Sequence, residues 1–479
     1  MKLKEWLKEN WILVGIVSFA IIVRIYYFIL TQGQALWWDE AEYLNIAKRF
    51  AFDFDYKFGP VRPILFSFIA SLFLKISSSE FLPRVFLLVL SVASVIGMYY
   101  FGKELYNKTV GLISSFLMSI FYLNLFFTYR LLVDLPALTF FIFSGFLFFR
   151  YFKTKSSKSL YAAAIVVGIG TLFKLSTAFI LFACLIYLLI TERLNFLRKK
   201  EIWIATFIFI VILAPYIIWG YIEFGSLVLT QASSHVAPES YFSGITILKN
   251  YLINFPTYFS WTILVAFILG IVSMYRLVLY FDKVIGGDEI LRRDLYLLLV
   301  LIVPFILIST LINHNEDRYI MIIFPSILII SSSFIRDFYY MIKKKGRVMA
   351  IILVAIILTF TSLYQLDLAD SLIKNKESSY LQVKEAGIWL KENSNISNII
   401  ATRSQPQIRY YSERKTIGIP ATEEEFESSL TPDVKFYMLS IFEAHPEWAY
   451  TYPGRKNLTI ERDYLTQDKQ PILIIYNLK

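Results

Sequence analysis

Eleven stretches of the chain are apolar at nearly every position, near residues 11–30, 81–101, 109–127, 135–152, 159–173, 175–190, 201–220, 257–281, 295–312, 318–335 and 347–365. Several approach the roughly 20 apolar residues needed to cross about 30 Å of hydrocarbon. The run "VRPILFSFIASLFLKI" at 61–76 is shorter between Arg62 and Lys75, a length that suits a helix lying in the interface. After residue 366 the pattern changes. Strand-like "NIIAT", "VKFYMLSI" and "PILIIYN" alternate with helix-like "YLQVKEAGIWLKENS" and "TEEEFESSL". The pattern predicts a polytopic α-helical membrane protein of about 11 spans over residues 1–365, with interfacial helices in its first loop. Residues 366–479 are expected to form a small α/β domain.

Composition sharpens the class. The 479 residues are 57% hydrophobic and only 18% charged, and the mean hydropathy is +0.57. A soluble protein cannot hide that much apolar surface, whereas a bilayer solvates it. The single cysteine, Cys184, excludes an intrachain disulfide and a Cys-rich metal site. Lys2, Lys4 and Lys8 precede the first apolar run, which lacks a small-residue cleavage site and is taken as a retained first span.

The net charge of +10 does not indicate nucleic acid, because the basic residues gather in short clusters between apolar runs. With the amino terminus inside and 61–76 not crossing, the inner loops receive Lys103, Lys108, Lys153, Lys155, Lys158, the 193–200 cluster, Lys283, Arg292, Arg293 and the 336–347 cluster. A crossing at 61–76 would put all of these outside, against the positive-inside bias. Residues 31–80, the 128–134 turn, the 221–256 loop, 313–317 and everything after 366 are therefore expected on the extracytoplasmic side of the cell membrane.

One stretch on that face stands out, "WWDEAEYLNIAKRF" at 37–50. Its structural reading is a helix capped by Asp39 and Glu42, with Trp37 and Trp38 as interfacial anchors. Further polar residues share the face: Arg62, Arg84, Arg130 and Asp134, Lys174 in "GIGTLFKLSTAF", and Arg318 with Tyr319 in "NHNEDRYIMIIFP". Taken singly, Arg84 and Lys174 read as snorkelling side chains, Arg130 and Asp134 as an i,i+4 pair, and His314 as a loop residue. Arg24, inside the first span, must face protein or water. Carboxylates and cations together at a membrane boundary suit sugar transfer. A carboxylate removes the proton of an attacking hydroxyl, and Arg and Lys hold a departing phosphate. A substrate with phosphate at headgroup level and an apolar tail is a polyprenyl-phosphate sugar, and no nucleotide loop is present.

These residues resemble the dolichyl-phosphate-mannose–protein mannosyltransferases and bacterial aminoarabinose transferases, within the GT-C membrane glycosyltransferases, over most of residues 11–335. The matching positions are Asp39, Glu40, Tyr43 and Ala47; Arg62-Pro63-Ile64; Arg130 with Asp134; "GIGTLFKLS" with Lys174; and "DRYIMIIFP". Arg62 stands where His or Lys is usual, and the family's second proline is missing. The Trp-Trp-Asp-Tyr-Gly signature of oligosaccharyltransferases is absent. The resemblance implies an inverting transfer from a polyprenyl (dolichyl) phosphate sugar to a hydroxyl-bearing protein or lipid acceptor. Asp39 would be the general base, with Glu40 and Asp134 organising acceptor or cations. Tyr43, Arg62, Arg84, Arg130, Lys174, Arg318 and Tyr319 would bind substrate. No metal ligand is assigned; no cofactor is required, though a divalent cation is compatible. A transporter or flippase of a lipid-linked or anionic solute is the alternative.

Overall fold

The computed structural model describes residues 3–59, 62–225, 241–312, 315–466 and 468–478. His314 lies outside the described residues. Helices follow the apolar segments: α1 (Leu3–Leu30), α2 (Trp38–Phe52), α3 (Leu65–Ile76), α4 (Phe81–Leu105), α5 (Lys108–Ile120), α6 (Tyr122–Thr128), α7 (Asp134–Thr154), α8 (Ser157–Phe173), α9 (Phe179–Glu192) and α10 (Lys200–Phe224). Four more long ones are Trp261–Ser273, Glu289–Leu311, Phe324–Lys343 and Arg347–Glu377. Among the described residues nine helices are long and apolar enough to cross a membrane, and α5 with α6 form a tenth candidate bent by 55°. The remaining apolar segment is α8, a shorter helix. The run at 61–76 yields only the 12 residues of α3, about 18 Å at 1.5 Å per residue, too short to span. The last long helix runs past residue 365 to Glu377.

The bundle is held from inside by small and polar side chains, because lipid is as apolar as leucine and gives no hydrophobic drive. A Cβ on Gly111 would stand 2.5 Å from the Tyr99 carbonyl, and one on Gly102 would stand 2.6 Å from Ser114 Oγ. Only glycine allows α4 and α5 to cross this closely. Arg24 on α1 is fully buried. It donates to Ser91 Oγ at 2.7 Å, Asn124 Oδ1 at 2.6 Å and the carbonyls of Ala20 and Ser119 at 3.2 and 3.1 Å. It therefore faces protein and ties α1 to α4, α5 and α6. The bend after α5 frees the Tyr122 amide. Gln365 accepts from it at 3.1 Å and donates to the Tyr258 carbonyl at 3.1 Å. A break at membrane depth persists when such a partner replaces the lost helical bond.

Beyond this bundle lies a five-stranded sheet of order β2-β1-β3-β5-β4. Its strands are β1 (Ile399–Thr402), β2 (Lys415–Ile417), β3 (Val434–Ser440), β4 (Thr459–Leu465) and β5 (Pro471–Asn477). Strand β1 is parallel to β2 and β3, whereas β5 is antiparallel to β3 and β4. Helices Leu381–Asn393 and Gln405–Ser412 pack on one face through Val383, Leu390 and Ile408. Phe426 and Tyr452, from Glu423–Ser429 and Glu447–Arg455, cover the other face. The three strand-like runs in the sequence are β1, β3 and β5. The edge strands β2 and β4 escaped that pattern: β2 has three residues, and β4 is exposed at six of its seven positions and carries charges.

The sheet unit is fastened to the bundle through α2. Asn45 Nδ2 donates to the Pro406 carbonyl at 2.8 Å, and Lys48 Nζ donates to the Tyr410 carbonyl at 2.9 Å and pairs with Glu413 at 3.0 Å. The Leu36 amide donates to Tyr411 Oη at 2.9 Å, and Arg409 donates to the Asp55 carbonyl.

Candidate active site at the start of α2

Helix α2 begins at Trp38, with Trp37 extended before it. The carboxylate that caps it is Glu40, not Glu42: the Trp37 amide donates to Glu40 Oε2 at 2.6 Å. Glu40 Oε1 accepts from the Leu131 amide at 2.6 Å, and Arg130 Nη1 lies 3.6 Å from Oε2. Glu40 is fully buried. It is a strut between α2 and the 130–134 turn, with both oxygens committed to backbone.

Capping by Glu40 leaves Asp39 and Glu42 to a different group of partners. Asp39 Oδ1 accepts from Arg62 Nη2 at 2.5 Å and Oδ2 from Arg318 Nη1 at 2.8 Å. Arg62 Nε reaches Glu42 at 2.6 Å, and its guanidinium stands 5.6 Å from the Tyr43 ring centre. Arg318 Nε pairs with Glu316 at 2.5 Å. Lys174 Nζ donates to Asp134 Oδ1 at 2.5 Å and lies 4.5 Å from the Tyr319 ring centre, where the Arg318 guanidinium also stands, at 5.3 Å. Loops far apart in sequence thus meet in one cluster of alternating charges.

The electrostatics follow from this packing. Burial works to raise the Asp39 carboxyl, but the two arginines outweigh it and hold the group below the usual carboxylate range. Burial likewise opposes the charged forms of Arg62 and Arg318, and the surrounding carboxylates reverse that, fixing both as cations.

Seven of the ten residues singled out in the sequence converge here: Asp39, Tyr43, Arg62, Asp134, Lys174, Arg318 and Tyr319. Tyr43 is nearly fully buried and serves as a floor under Arg62. The other three lie outside that cluster. Glu40 is the strut described above. Arg130 is 1% exposed, stacks 3.6 Å from the Trp37 ring centre and does not pair with Asp134; burial pushes its guanidinium down to about 10. Arg84 is buried too, donating to the Tyr129 carbonyl at 2.7 Å and to Glu80 at 2.6 Å. Arg84 Nε and Arg130 Nε and Nη2 are buried without a hydrogen-bond partner among the described residues. The cluster also holds Glu42 and Glu316, which sequence reasoning passed over although both flank chosen residues.

Beside Asp39 and Arg318, a cavity of about 570 Å³ opens between the start of α2, α6, residues 315–318 and the end of the Arg347–Glu377 helix. The carboxylate therefore stands between a cluster of paired charges and an open cleft. Chemically, such a group can take a proton from a hydroxyl in the cleft while the cations beside it stabilise a departing phosphate.

The sequence model of the family described as dolichyl-phosphate-mannose-protein mannosyltransferase matches residues 61–219. No curated protein matches the chain. Among solved structures, ArnT from Cupriavidus metallidurans bound to undecaprenyl phosphate superposes with a TM-score of 0.65 at 10% identity, covering 97% of this chain and 98% of that one. The oligosaccharyltransferase of Archaeoglobus fulgidus in the apo form superposes at 0.59 with 13% identity, over 91% of this chain and 70% of its own. The same archaeal enzyme, AglB, with an inhibitory peptide and a dolichol-phosphate gives 0.58 at 14% identity and the same coverage. The chain thus has the GT-C fold of membrane glycosyltransferases, and its residues 61–219 carry the sequence pattern of the dolichyl-phosphate-mannose-protein mannosyltransferase family.

Proposed function

We propose that the protein transfers a sugar from a polyprenyl-phosphate donor to an acceptor hydroxyl, in one inverting step, on the extracytoplasmic side of the membrane. The observation that carries this is the position of Asp39, clamped by Arg62 and Arg318 and facing a cleft at the end of the bundle. The acceptor hydroxyl gives its proton to Asp39 as its oxygen bonds to the sugar's anomeric carbon. The bond from that carbon to the phosphate oxygen breaks, and the new charge on the polyprenyl phosphate meets Arg62, Arg318 and Lys174. A base paired with two arginines is weak. An arriving phosphodiester competes for those guanidiniums and so raises the proton affinity of Asp39 when both substrates are bound. The undecaprenyl phosphate and dolichol-phosphate held by the two fold neighbours support a lipid-phosphate donor. The basic loops between spans support the sidedness. Transport gains nothing from Arg24, whose donors are taken up by protein groups.

The test is transfer of radiolabelled sugar from a dolichyl-phosphate-linked donor by purified protein, comparing wild type with Asp39→Asn. The expected result is product from wild type and a loss of about a thousandfold or more in the variant at unchanged melting temperature. Full turnover by Asp39→Asn would overturn its role as base.

A further inference from the structure

The cluster of paired charges and the cavity lie against the same carboxylate but differ in lining. Arg62 and Lys174 belong to the cluster and do not line the cavity; Asp39 and Arg318 belong to both. A phosphate-bearing donor is drawn to the cations, which leaves the cavity for the other substrate.

Its lining narrows what that substrate is. Trp38, Phe126, Phe127 and Tyr380 supply aromatic faces beside three leucines, and Asn315 and Asp317 supply planar polar edges. Flat apolar faces alternating with amide and carboxylate edges match a sugar ring, whose axial C–H face is apolar and whose rim is hydroxyl. A hydrocarbon tail gains nothing from carboxylates that it would have to desolvate. An anionic acceptor would meet three carboxylates, Asp39, Glu316 and Asp317, against two cations, Arg318 and Lys376, so the balance of charge is against it. An extended peptide finds no strand edge in the lining to pair with. The volume falls within the range of about 300–1,000 Å³ usual for small-ligand sites.

Two of these rings bear most directly on the choice. Trp38 is half-buried and its side chain has no hydrogen bond or ring partner among the described residues, although it opens a helix beside the candidate base. Tyr380 has φ of +64°, a left-handed conformation that costs a non-glycine residue, and it is fixed there by stacking 4.8 Å from Phe442 of the sheet unit. The ring is thereby held at the cavity by the sheet unit, whose core it packs against.

We infer that the cavity binds the acceptor through an uncharged sugar ring laid against Trp38 and Tyr380, so that the acceptor is a glycan or a neutral glycolipid head. The sheet unit takes part in acceptor recognition by presenting Tyr380. This rests on the reading of Asp39 as the base that faces the acceptor.

The test uses the full chain in lipid nanodiscs, without donor, and saturation-transfer NMR with three probes. These are a panel of neutral methyl disaccharides of gluco, galacto and manno configuration, the corresponding uronic-acid disaccharides, and a Ser/Thr-containing octapeptide. At least one neutral disaccharide is expected to bind wild type, and to bind about tenfold more weakly to Trp38→Leu through lost ring stacking. Circular dichroism and melting temperature establish that Trp38→Leu is folded; Trp38→Phe, which keeps a ring, is expected to retain most of the binding. Binding of the peptide or the uronates in preference to every neutral sugar would overturn the inference, as would unchanged affinity in Trp38→Leu or no sugar binding at all. Sugar binding without any transfer from a polyprenyl-phosphate donor would instead overturn the proposed reaction and leave the cavity's assignment standing.

Discussion

Asp39 and Glu40 are adjacent carboxylates at the start of one helix, and they are expected to fail in opposite ways. Replacing Glu40 by alanine removes the acceptor for two buried amides, those of Trp37 and Leu131, and strips Arg130 of its nearest carboxylate. Hydrogen bonds to a charged group contribute about 1.5–3 kcal/mol each, and breaking a buried ion pair costs about 3–5 kcal/mol. These losses overlap at one side chain, so a destabilisation of about 4 kcal/mol is expected. Glu40→Gln keeps one acceptor oxygen and turns an amide N–H toward a backbone donor, for about half that cost. Asp39 lies in a partly open setting, and Arg62 and Arg318 keep Glu42 and Glu316 as partners when it is neutralised. Asp39→Asn should therefore shift stability by about 1 kcal/mol or less while abolishing transfer. Thermal unfolding followed by intrinsic fluorescence in nanodiscs reads the first effect, and the transfer assay reads the second. A melting temperature roughly 5 °C lower for Glu40→Ala, with Asp39→Asn near wild type, is the expected pattern. Equal losses in both, or a Glu40→Ala protein that melts like wild type and is merely inactive, would refute the assignment of Glu40 as a strut.

Other expectations follow from the same geometry. Because Asp39 is held below the usual carboxylate range when folded, the stability its pairings contribute is present above its unfolded pKa of about 3.9 and is lost as pH falls through the lower folded value. Melting temperature should therefore show no Asp39-dependent change between about pH 5 and 8; the acid limb of kcat/KM, which reports the free enzyme, should move upward in Arg62→Gln as one of the two cations disappears. Gly111→Ala places a methyl 2.5 Å from the Tyr99 carbonyl and should push α4 and α5 apart, lowering the melting temperature more than Gly15→Ala, where a Cβ meets nothing within 4 Å. Gln365→Leu strands the Tyr122 amide at the bend and should cost about 1–3 kcal/mol, read as a lower unfolding midpoint with the fold retained by circular dichroism.

What the sequence disclosed, and what it hid, follows from how each feature is encoded. Apolar length alone defines a candidate span, so all eleven segments coincide with helices, and the short run at 61–76 gives a helix that cannot cross. Polar side chains at span ends are conspicuous against that background, so Asp39, Arg62, Lys174 and Arg318 could be picked out before their meeting was visible. Which of two neighbouring carboxylates faces the cluster was not legible. Successive residues on a helix point about 100° apart, and the choice is made by the 130–134 turn docking on Glu40, a tertiary event. The same cause keeps Arg84 and Arg130 out of the cluster: besides Glu80 and Glu40 their partners are backbone carbonyls and an aromatic face, which leave no mark in sequence. Strand β4 was hidden because its side chains are exposed on both faces, so no period of two appears.

The Arg24 network also constrains how the chain is built. A first helix leaving the ribosome carries a guanidinium into hydrocarbon, at a cost of about 2.5–3.5 kcal/mol on insertion scales. Ser91, Ser119 and Asn124 are synthesised 67 to 100 residues later. Until they enter the bilayer, Arg24 has no complete set of acceptors, so the first helix remains unsettled beside the insertion machinery while the next two spans emerge. Biogenesis is thereby ordered, and the oldest helix is the last of its group to be locked in place.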